Sequence, residues 1–209
     1  NPEHAFAFKM VLTDQIAETI VTDVIWTPSI SGYLKPRVRV DPVIIGGATI
    51  EYVTGHDAKN IKENRIGIGA KVSLIRAGDV IPHIERVIEP APQAHFPEKG
   101  TYTWTDTKVD IVLISSATDT TVRAKQFEYF FKTMDIPDIG IGVINQLVKS
   151  GYDTLSKILH ITYEELLELP SFKSTKANKI YNNIQTVRTP PSTSTANSPS
   201  ITPNELLAK

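Results

Sequence analysis

Cysteine is absent from the 209 residues of this sequence, and its absence excludes disulfide bonds, thiolate nucleophiles and zinc sites built on sulfur. The five histidines are scattered without the spacing of metal ligands. No apolar run approaches the roughly 20 residues that a membrane-spanning helix needs, so we predict no membrane partner. An initial methionine and a signal peptide are also lacking, and we therefore expect a piece of a longer intracellular protein.

Neither sign of charge is in excess, because 22 Lys and Arg face 23 Asp and Glu and the net charge is −1. This total excludes a uniformly basic protein but allows local basic patches. Three such patches occur. Lys35, Arg37 and Arg39 alternate, which predicts that they share one face of a strand. The other two patches carry Lys59, Lys62, Arg65, Lys71 and Arg76 with the single acid Glu63, and Lys173, Lys176, Lys179 and Arg188 with no acid.

Residues 16–95 contain short runs rich in β-branched residues, separated by glycine and proline. Pro42, for example, separates the runs 38–40 and 43–45. Several short strands with frequent turns predict an all-β barrel. The strand-poor segment 56–64 tolerates a helix, which favours an OB-fold. Apolar residues recur at helical spacing over residues 120–188, which predicts an all-α domain.

Three local signals complete the predicted domain plan. Residues 101–104 and 109–114 have the composition of two strands that form a hairpin, so we predict a short β connector over residues 96–119. Thr162 and Glu165 have the spacing of a capping box, which predicts the start of a helix. Residues 189–209 begin with a stretch rich in Pro, Ser and Thr, which predicts a flexible linker.

Two segments of the predicted helical domain share one pattern, in which a tight turn precedes a helix. They run from Met134 to Gly142 and from Leu169 to Lys176. The pattern resembles the helix-hairpin-helix motif, in which backbone N–H groups at a helix N-terminus bind a phosphate without reading sequence. We therefore take the following residues as candidate DNA contacts: Gly140, Gly142, Lys173, Lys176 and Lys179.

The two segments depart from the usual motif, which has two glycines in its turn. Asp138 and Ser171 stand at the first of these positions, and Lys173 stands at the second in the later copy. Asp138 would repel a phosphate if it faced one. Ordinary helical hairpins with a packing role are the alternative interpretation.

A longer set of motifs resembles the NAD-dependent DNA ligases over about residues 4–188. The string Arg-Ala-Gly-Asp-Val-Ile-Pro at residues 76–82 is the most specific match, because seven residues agree in a row. The other matches are Phe-Ala-Phe-Lys at 6–9, Gly-Tyr-Leu-Lys-Pro at 32–36, His-Asp at 56–57 and Arg-Ile-Gly at 65–67. The resemblance assigns residues 1–15 to the end of an adenylylation domain, 16–95 to the OB-fold domain and 120–188 to a helix-hairpin-helix domain.

The resemblance implies the DNA-clamping part of an enzyme that seals 5′-phosphate/3′-hydroxyl nicks in duplex DNA through an adenylylated intermediate. It implies NAD and Mg²⁺ as cofactors, nicked double-stranded DNA as partner, and action in the cytoplasm, a nucleoid or a viral replication site. Lys9 matches the lysine that contacts the adenylate phosphate in this family and is the catalytic candidate. The candidate DNA contacts of the barrel are Gly32, Lys35, Arg37, Arg39, His56, Arg65, Lys71 and Arg76.

Two differences from the family pattern are informative. Ile30 stands where the family carries an arginine, and we expect Lys35, Arg37 and Arg39 to supply that charge instead. Phe96-Pro-Glu-Lys-Gly100 stands where the family opens its four-cysteine zinc finger. Phe and Lys cannot ligate zinc, so we predict that the connector is metal-free and that its hairpin, packed through Phe96 and Trp104, replaces the finger.

The sequence also lacks a Lys-x-Asp-Gly nucleophile motif. We therefore expect this chain to be inactive alone and to depend on an upstream adenylylation domain of the same protein. Two other interpretations stay open: a non-catalytic OB-fold and helix-hairpin-helix protein that binds nucleic acid, and a degenerate ligase that serves as a scaffold.

Overall fold

The computed structural model describes residues 16–76 and 81–188. The chain divides into two compact units, the first through Ser115 and the second from Ser116.

The first unit is built on a closed five-stranded barrel. Its strands are β1 (Ile16–Pro28), β2 (Tyr33–Ile45), β3 (Ala48–Thr54), β4 (Lys71–Ile75) and β5 (His83–Glu89). They follow the order β1-β4-β5-β3-β2, and pairing of β1 with β2 closes the ring. The only described helix of this unit, α1 (Ala58–Glu63), lies between β3 and β4 in sequence. The predicted OB-type barrel is thus confirmed.

Strand β2 shows why the barrel has a charged outer face. Along its first half, Leu34, Pro36, Val38 and Val40 are buried, and the residues between them are exposed. Alternate side chains of a strand point to opposite faces, so the apolar set faces inward and the basic set faces solvent. Val38 and Val40 pack in the barrel core, whereas Leu34 packs in a smaller cluster with Ile111.

Pro42 does not end β2, although the sequence predicted separate runs on either side of it. The strand continues to Ile45, and its register with β3 shifts between Arg39 and Val43. Proline cannot donate a ladder hydrogen bond and is accommodated at such an irregularity. The adjacent turn to β3 uses Gly46 and Gly47 with φ of 54° and 76°, a conformation typical of two-residue hairpins.

The predicted connector hairpin is present and joins the barrel. It consists of β6 (Tyr102–Trp104) and β7 (Ile111–Leu113). β7 pairs with the start of β2, with Tyr33 opposite Val112 and Leu34 opposite Ile111. The backbone amide of Lys59 in α1 also donates to the Val109 carbonyl at 2.9 Å. The hairpin is therefore a continuation of the barrel sheet.

An aromatic cluster fills the space between the hairpin and the barrel. The ring of Phe96 lies 5.3 Å from Trp26, 6.0 Å from Tyr102 and 5.8 Å from Trp104, measured between centroids. Trp26 donates its indole N–H to the His95 carbonyl at 3.1 Å. Phe96 thus contacts both the barrel and the hairpin, as the sequence predicted for Phe96 and Trp104.

The second unit is helical. Its helices are α2 (Thr120–Thr133), α3 (Ile141–Lys149), α4 (Leu155–Leu159), α5 (Tyr163–Glu168) and α6 (Ser174–Arg188). Its core contains Phe131, Ile144, Leu147, Ile158, Leu166 and Ile184, all fully buried. The capping box predicted at Thr162 and Glu165 is confirmed at the start of α5.

Across residues 16–76 and 81–188, no helix combines the length and apolarity needed to cross a membrane.

Candidate nucleic-acid interface

The outer face of β2 carries the three alternating basic residues predicted from the sequence. Lys35, Arg37 and Arg39 are all exposed and follow one another at every second position. We call these three residues the basic row. Their guanidinium and ammonium groups therefore lie along one side of the barrel, at the spacing of a strand.

Acidic residues of the same unit hold two members of the basic row. Arg39 donates from Nε and Nη2 to Glu51 Oε1 at 3.0 and 2.8 Å, and this hydrogen bonding raises the pKa of the Arg39 guanidinium. Lys35 Nζ lies 2.9 Å from Asp110 Oδ1. The Arg39–Glu51 pair is exposed on both sides, so it contributes little to stability and exchanges readily with other anions. In the other pair Lys35 is 52% exposed and Asp110 only 21%.

Arg37, at the centre of the basic row, is held differently. Its guanidinium carbon lies 4.1 Å from the centroid of the Tyr52 ring, which is cation–π geometry. Within residues 16–76 and 81–188, no carboxylate forms an ion pair with Arg37. Its positive charge is therefore the least neutralised of the three.

The other candidate contacts of the barrel do not all join this row. Lys71 lies on β4, which is separated from β2 by β1, and it pairs with Glu18 at 2.7 Å. That hydrogen bond raises the pKa of Lys71 and lowers the pKa of Glu18. Arg76 lies beside the β2–β3 turn, where its Nη1 is 3.8 Å from the position that a Cβ would take at Gly46.

Three further candidates lie in irregular backbone. Gly32, His56 and Arg65 have φ of 79°, 64° and 47°, at the entry to β2, after β3 and after α1. His56 forms an edge contact with His83 at 6.3 Å between ring centroids. Lys9, the catalytic candidate, lies outside the described residues.

The helical unit contains the same turn twice. Pro137-Asp138-Ile139-Gly140 precedes α3, and Pro170-Ser171-Phe172-Lys173 precedes α6. We call these the first and second turns. Asp138 and Ser171 have φ of 64° and 67°, and the apolar residue that follows each is buried. Each turn thus has a left-handed residue where the usual motif has its first glycine, and Asp tolerates this conformation better than most residues.

Lys173, Lys176 and Lys179 line one cavity of about 680 Å³ beside the second turn. Asp138 of the first turn also lines it, together with Ser171 and Thr175. Lys176 donates to Gln146 Oε1 at 3.1 Å and lies 4.1 Å above the Phe172 ring. The sequence placed the two turns 33 residues apart, and the fold brings residues of both to this cavity.

At the first turn, a carboxylate of another helix accepts a hydrogen bond from the N-terminus of α3. Gly140 is the N-cap of α3, and no heavy atom lies within 4 Å of the Cβ positions at Gly140 and Gly142. The amide of Ile141 donates to Glu128 Oε1 of α2 at 3.0 Å. Sequence reasoning missed Glu128, Glu51 and Asp110, because only the fold brings each of them next to the residue that it contacts.

Within the described ranges, no group of three or more histidine and carboxylate side chains is arranged to hold a metal ion. Mg²⁺ is usually held by one or two carboxylates together with substrate phosphates, so the cofactor predicted for the complete enzyme does not require such a group within these residues.

Comparison with known proteins assigns the family. Residues 18–95 match the family model of the NAD-dependent DNA ligase OB-fold domain. A DNA ligase of Acanthamoeba polyphaga mimivirus is 38% identical over 185 residues, which cover 88% of this chain and 29% of the relative. DNA ligases of Desulfatibacillum aliphaticivorans and Lacticaseibacillus paracasei are 31% and 30% identical, over 72% and 82% of this chain and 24% and 27% of their own lengths.

The chain thus spans less than a third of each of these three relatives. The family match runs from the third residue of β1 to six residues past the end of β5, and the barrel has the strand order expected of an OB-fold. Residues 18–95 thus belong to the family of NAD-dependent DNA ligase OB-fold domains, and the chain is similar to DNA ligases over most of its length.

Proposed function

We propose that this chain is the DNA-holding part of a ligase that seals nicks in duplex DNA through an adenylylated intermediate, with NAD and Mg²⁺ as cofactors of the complete enzyme. The observation that carries the proposal is the basic row on the outer face of a ligase-type OB-fold barrel. Cations at strand spacing along a barrel face suit the regular phosphates of a DNA backbone.

In this proposal Arg37 is the first contact to phosphate. It carries no competing ion pair within the described ranges, and its planar guanidinium can bind two phosphate oxygens at once. Lys35 and Arg39 follow by exchanging Asp110 and Glu51 for phosphate. The exchange at Arg39 costs little, because both side chains of its ion pair are exposed.

The helical unit provides the second proposed contact. Its two turns resemble helix-hairpin-helix turns, and α6 begins beside three lysines with no acid in its first turn. A helix N-terminus and nearby cations favour an anion. Lys173 and Lys176 would therefore contact backbone phosphates without reading bases.

The catalytic part of the proposal rests on the family resemblance. Lys9 would contact the adenylate phosphate, and an upstream adenylylation domain would supply the nucleophilic lysine. A fixed ammonium group stabilises charge that develops on a phosphoryl group during transfer.

The direct test uses two preparations. The chain itself should bind a fluorescein-labelled nicked duplex, with an affinity that falls linearly on a plot of log K against log salt. The full-length protein should seal the same nick when NAD is added. Binding without sealing by the full-length protein would favour the non-catalytic interpretation, and no binding by the chain would contradict the proposal.

Gly142→Ala should separate the roles of folding and DNA binding at the first turn. The added methyl group meets no atom of the chain, and alanine favours a helix over glycine, so we expect the free energy of unfolding to rise by about 0.5–1 kcal/mol. A phosphate that approaches the first turn closely would collide with the methyl group, so affinity for nicked duplex should fall several-fold.

Asn145→Ala is the matched control for that variant, because Asn145 is also exposed on α3 and alanine improves its helix propensity. Thermal unfolding and fluorescence anisotropy measure the two effects. If Gly142→Ala and Asn145→Ala bind DNA equally well, the first turn is not a phosphate contact.

A further inference from the structure

An ion pair connects the two turns of the helical unit. Asp138 Oδ2 of the first turn lies 2.9 Å from Lys179 Nζ of α6. Both residues line the cavity beside the second turn, together with Lys173 and Lys176. The first turn thus places a carboxylate among the cations that we propose as phosphate contacts.

Asp138 is the only acid among the residues that line this described cavity. Its side chain and that of Lys179 are 40% and 62% exposed, so the pair is accessible to solvent and to an incoming anion. Exposed pairs of this kind are individually weak. A phosphate oxygen can therefore take the place of the carboxylate on Lys179.

We propose that Asp138 is an internal competitor of the DNA backbone at this cavity. Its carboxylate holds Lys179 in the free protein and is exchanged for a phosphate when DNA binds. The inference rests on the proposed function, because it concerns the same DNA-binding surface.

Two consequences distinguish a competitor from a simple structural contact. The displaced carboxylate stays near the bound phosphate and repels it, so Asp138 lowers the affinity for DNA. It also replaces a counterion on Lys179 in the free protein, so fewer ions are released on binding and the salt dependence is shallower. If the ion pair only held the two turns together, its removal would lower the affinity for DNA instead of raising it.

The backbone at this position supplies a suitable test. Asp138 has φ of 64°, a region in which asparagine is well tolerated. Asp138→Asn therefore removes the charge and keeps the backbone conformation and an oxygen acceptor for Lys179. Asp138→Gly is a second variant without charge that also fits a positive φ.

The experiment compares the affinities of the full chain and its variants for a fluorescein-labelled nicked duplex over a series of KCl concentrations. At low salt we expect Asp138→Asn to bind about three- to fivefold more tightly, with a log–log salt slope steeper by about one. The gain should disappear at high salt. Lys179→Gln should bind more weakly than wild type. In that background Asp138→Asn should give a smaller gain than in wild type, because only the repulsion between carboxylate and phosphate is left to relieve.

Asp135→Asn is the matched control, because Asp135 is also exposed and has φ of 53° but does not line the cavity. Its affinity should equal that of wild type. Arg37→Gln removes the central charge of the basic row and is the reference variant for the proposed function, under which it should weaken binding. If it does so while both Asp138 variants bind as wild type or more weakly, with unfolding temperatures unchanged, the inference alone would be overturned. A wild-type chain that does not bind the nicked duplex would overturn the proposed function and the inference with it.

Discussion

Simultaneous replacement of Lys35, Arg37 and Arg39 by glutamate is expected to weaken binding of a nicked duplex on the order of a hundredfold at low salt, and to reduce the log–log salt slope by about three. The three side chains lie on one exposed face of β2 and none contributes to the barrel core. Their loss therefore removes phosphate contacts without opening the core, and the new carboxylates repel the backbone.

The main complication of this triple variant is folding. Glutamate at positions 39 and 35 would lie next to Glu51 and Asp110, the present partners of these two residues. Replacement of all three by glutamine avoids this repulsion and should give a smaller loss of affinity with the same change in slope. Thermal unfolding of both variants shows whether the barrel is intact.

A control with the same change in net charge is available elsewhere on the chain. Lys99, Lys132 and Lys149 are exposed and lie outside the basic row and outside the cavity beside the second turn. Their replacement by glutamate should weaken binding far less, because only long-range attraction is lost and salt screens it. Equal losses in the two triple variants would show that net charge matters and the basic row does not.

Phe96→Ala is expected to lower the free energy of unfolding of the first unit by about 3 kcal/mol, the lower end for removal of a core phenylalanine. Phe96 is half-buried and contacts Trp26, Tyr102 and Trp104. Its loss would leave a cavity where the hairpin meets the barrel.

If this aromatic cluster replaces a zinc finger, a metal chelator should leave the stability of the wild-type chain unchanged.

The measurement is selective, because both tryptophans of the chain belong to the first unit and contact Phe96. Tryptophan fluorescence during denaturant unfolding therefore reports this unit and not the helical one. Phe96→Leu is the control, since it keeps most of the apolar volume and should cost less than half as much. Stoichiometric zinc in the purified chain, or destabilisation by the chelator, would refute the metal-free connector.

The elements and the exposed face of β2 could be predicted from the sequence because they depend on local patterns. Alternation placed Lys35, Arg37 and Arg39 on one side of a strand, and the spacing of Thr162 and Glu165 identified the start of α5. The two separate runs predicted around Pro42 are one strand in the structure. Pairing with β3 on both sides of Pro42 keeps the strand continuous, with a shift in register between Arg39 and Val43.

The electrostatic partners could not be predicted, because they are set by contacts between distant parts of the chain. Lys35 pairs with Asp110, which is 75 residues away. The two meet because β7 of the connector hairpin pairs with the start of β2. Asp138 and Lys179 meet only because the two turns fold side by side. Their charges were visible in the sequence, but which cations they would hold was not.

The stacking of Arg37 on Tyr52 has a consequence for the entropy of binding. A free arginine side chain loses roughly 2 kcal/mol of rotamer freedom when it is fixed. In this barrel the guanidinium is already restrained 4.1 Å from the aromatic ring, on a strand whose neighbours fix its backbone. Much of that ordering therefore takes place when the barrel folds, and a phosphate that arrives later meets a side chain with little freedom left to lose.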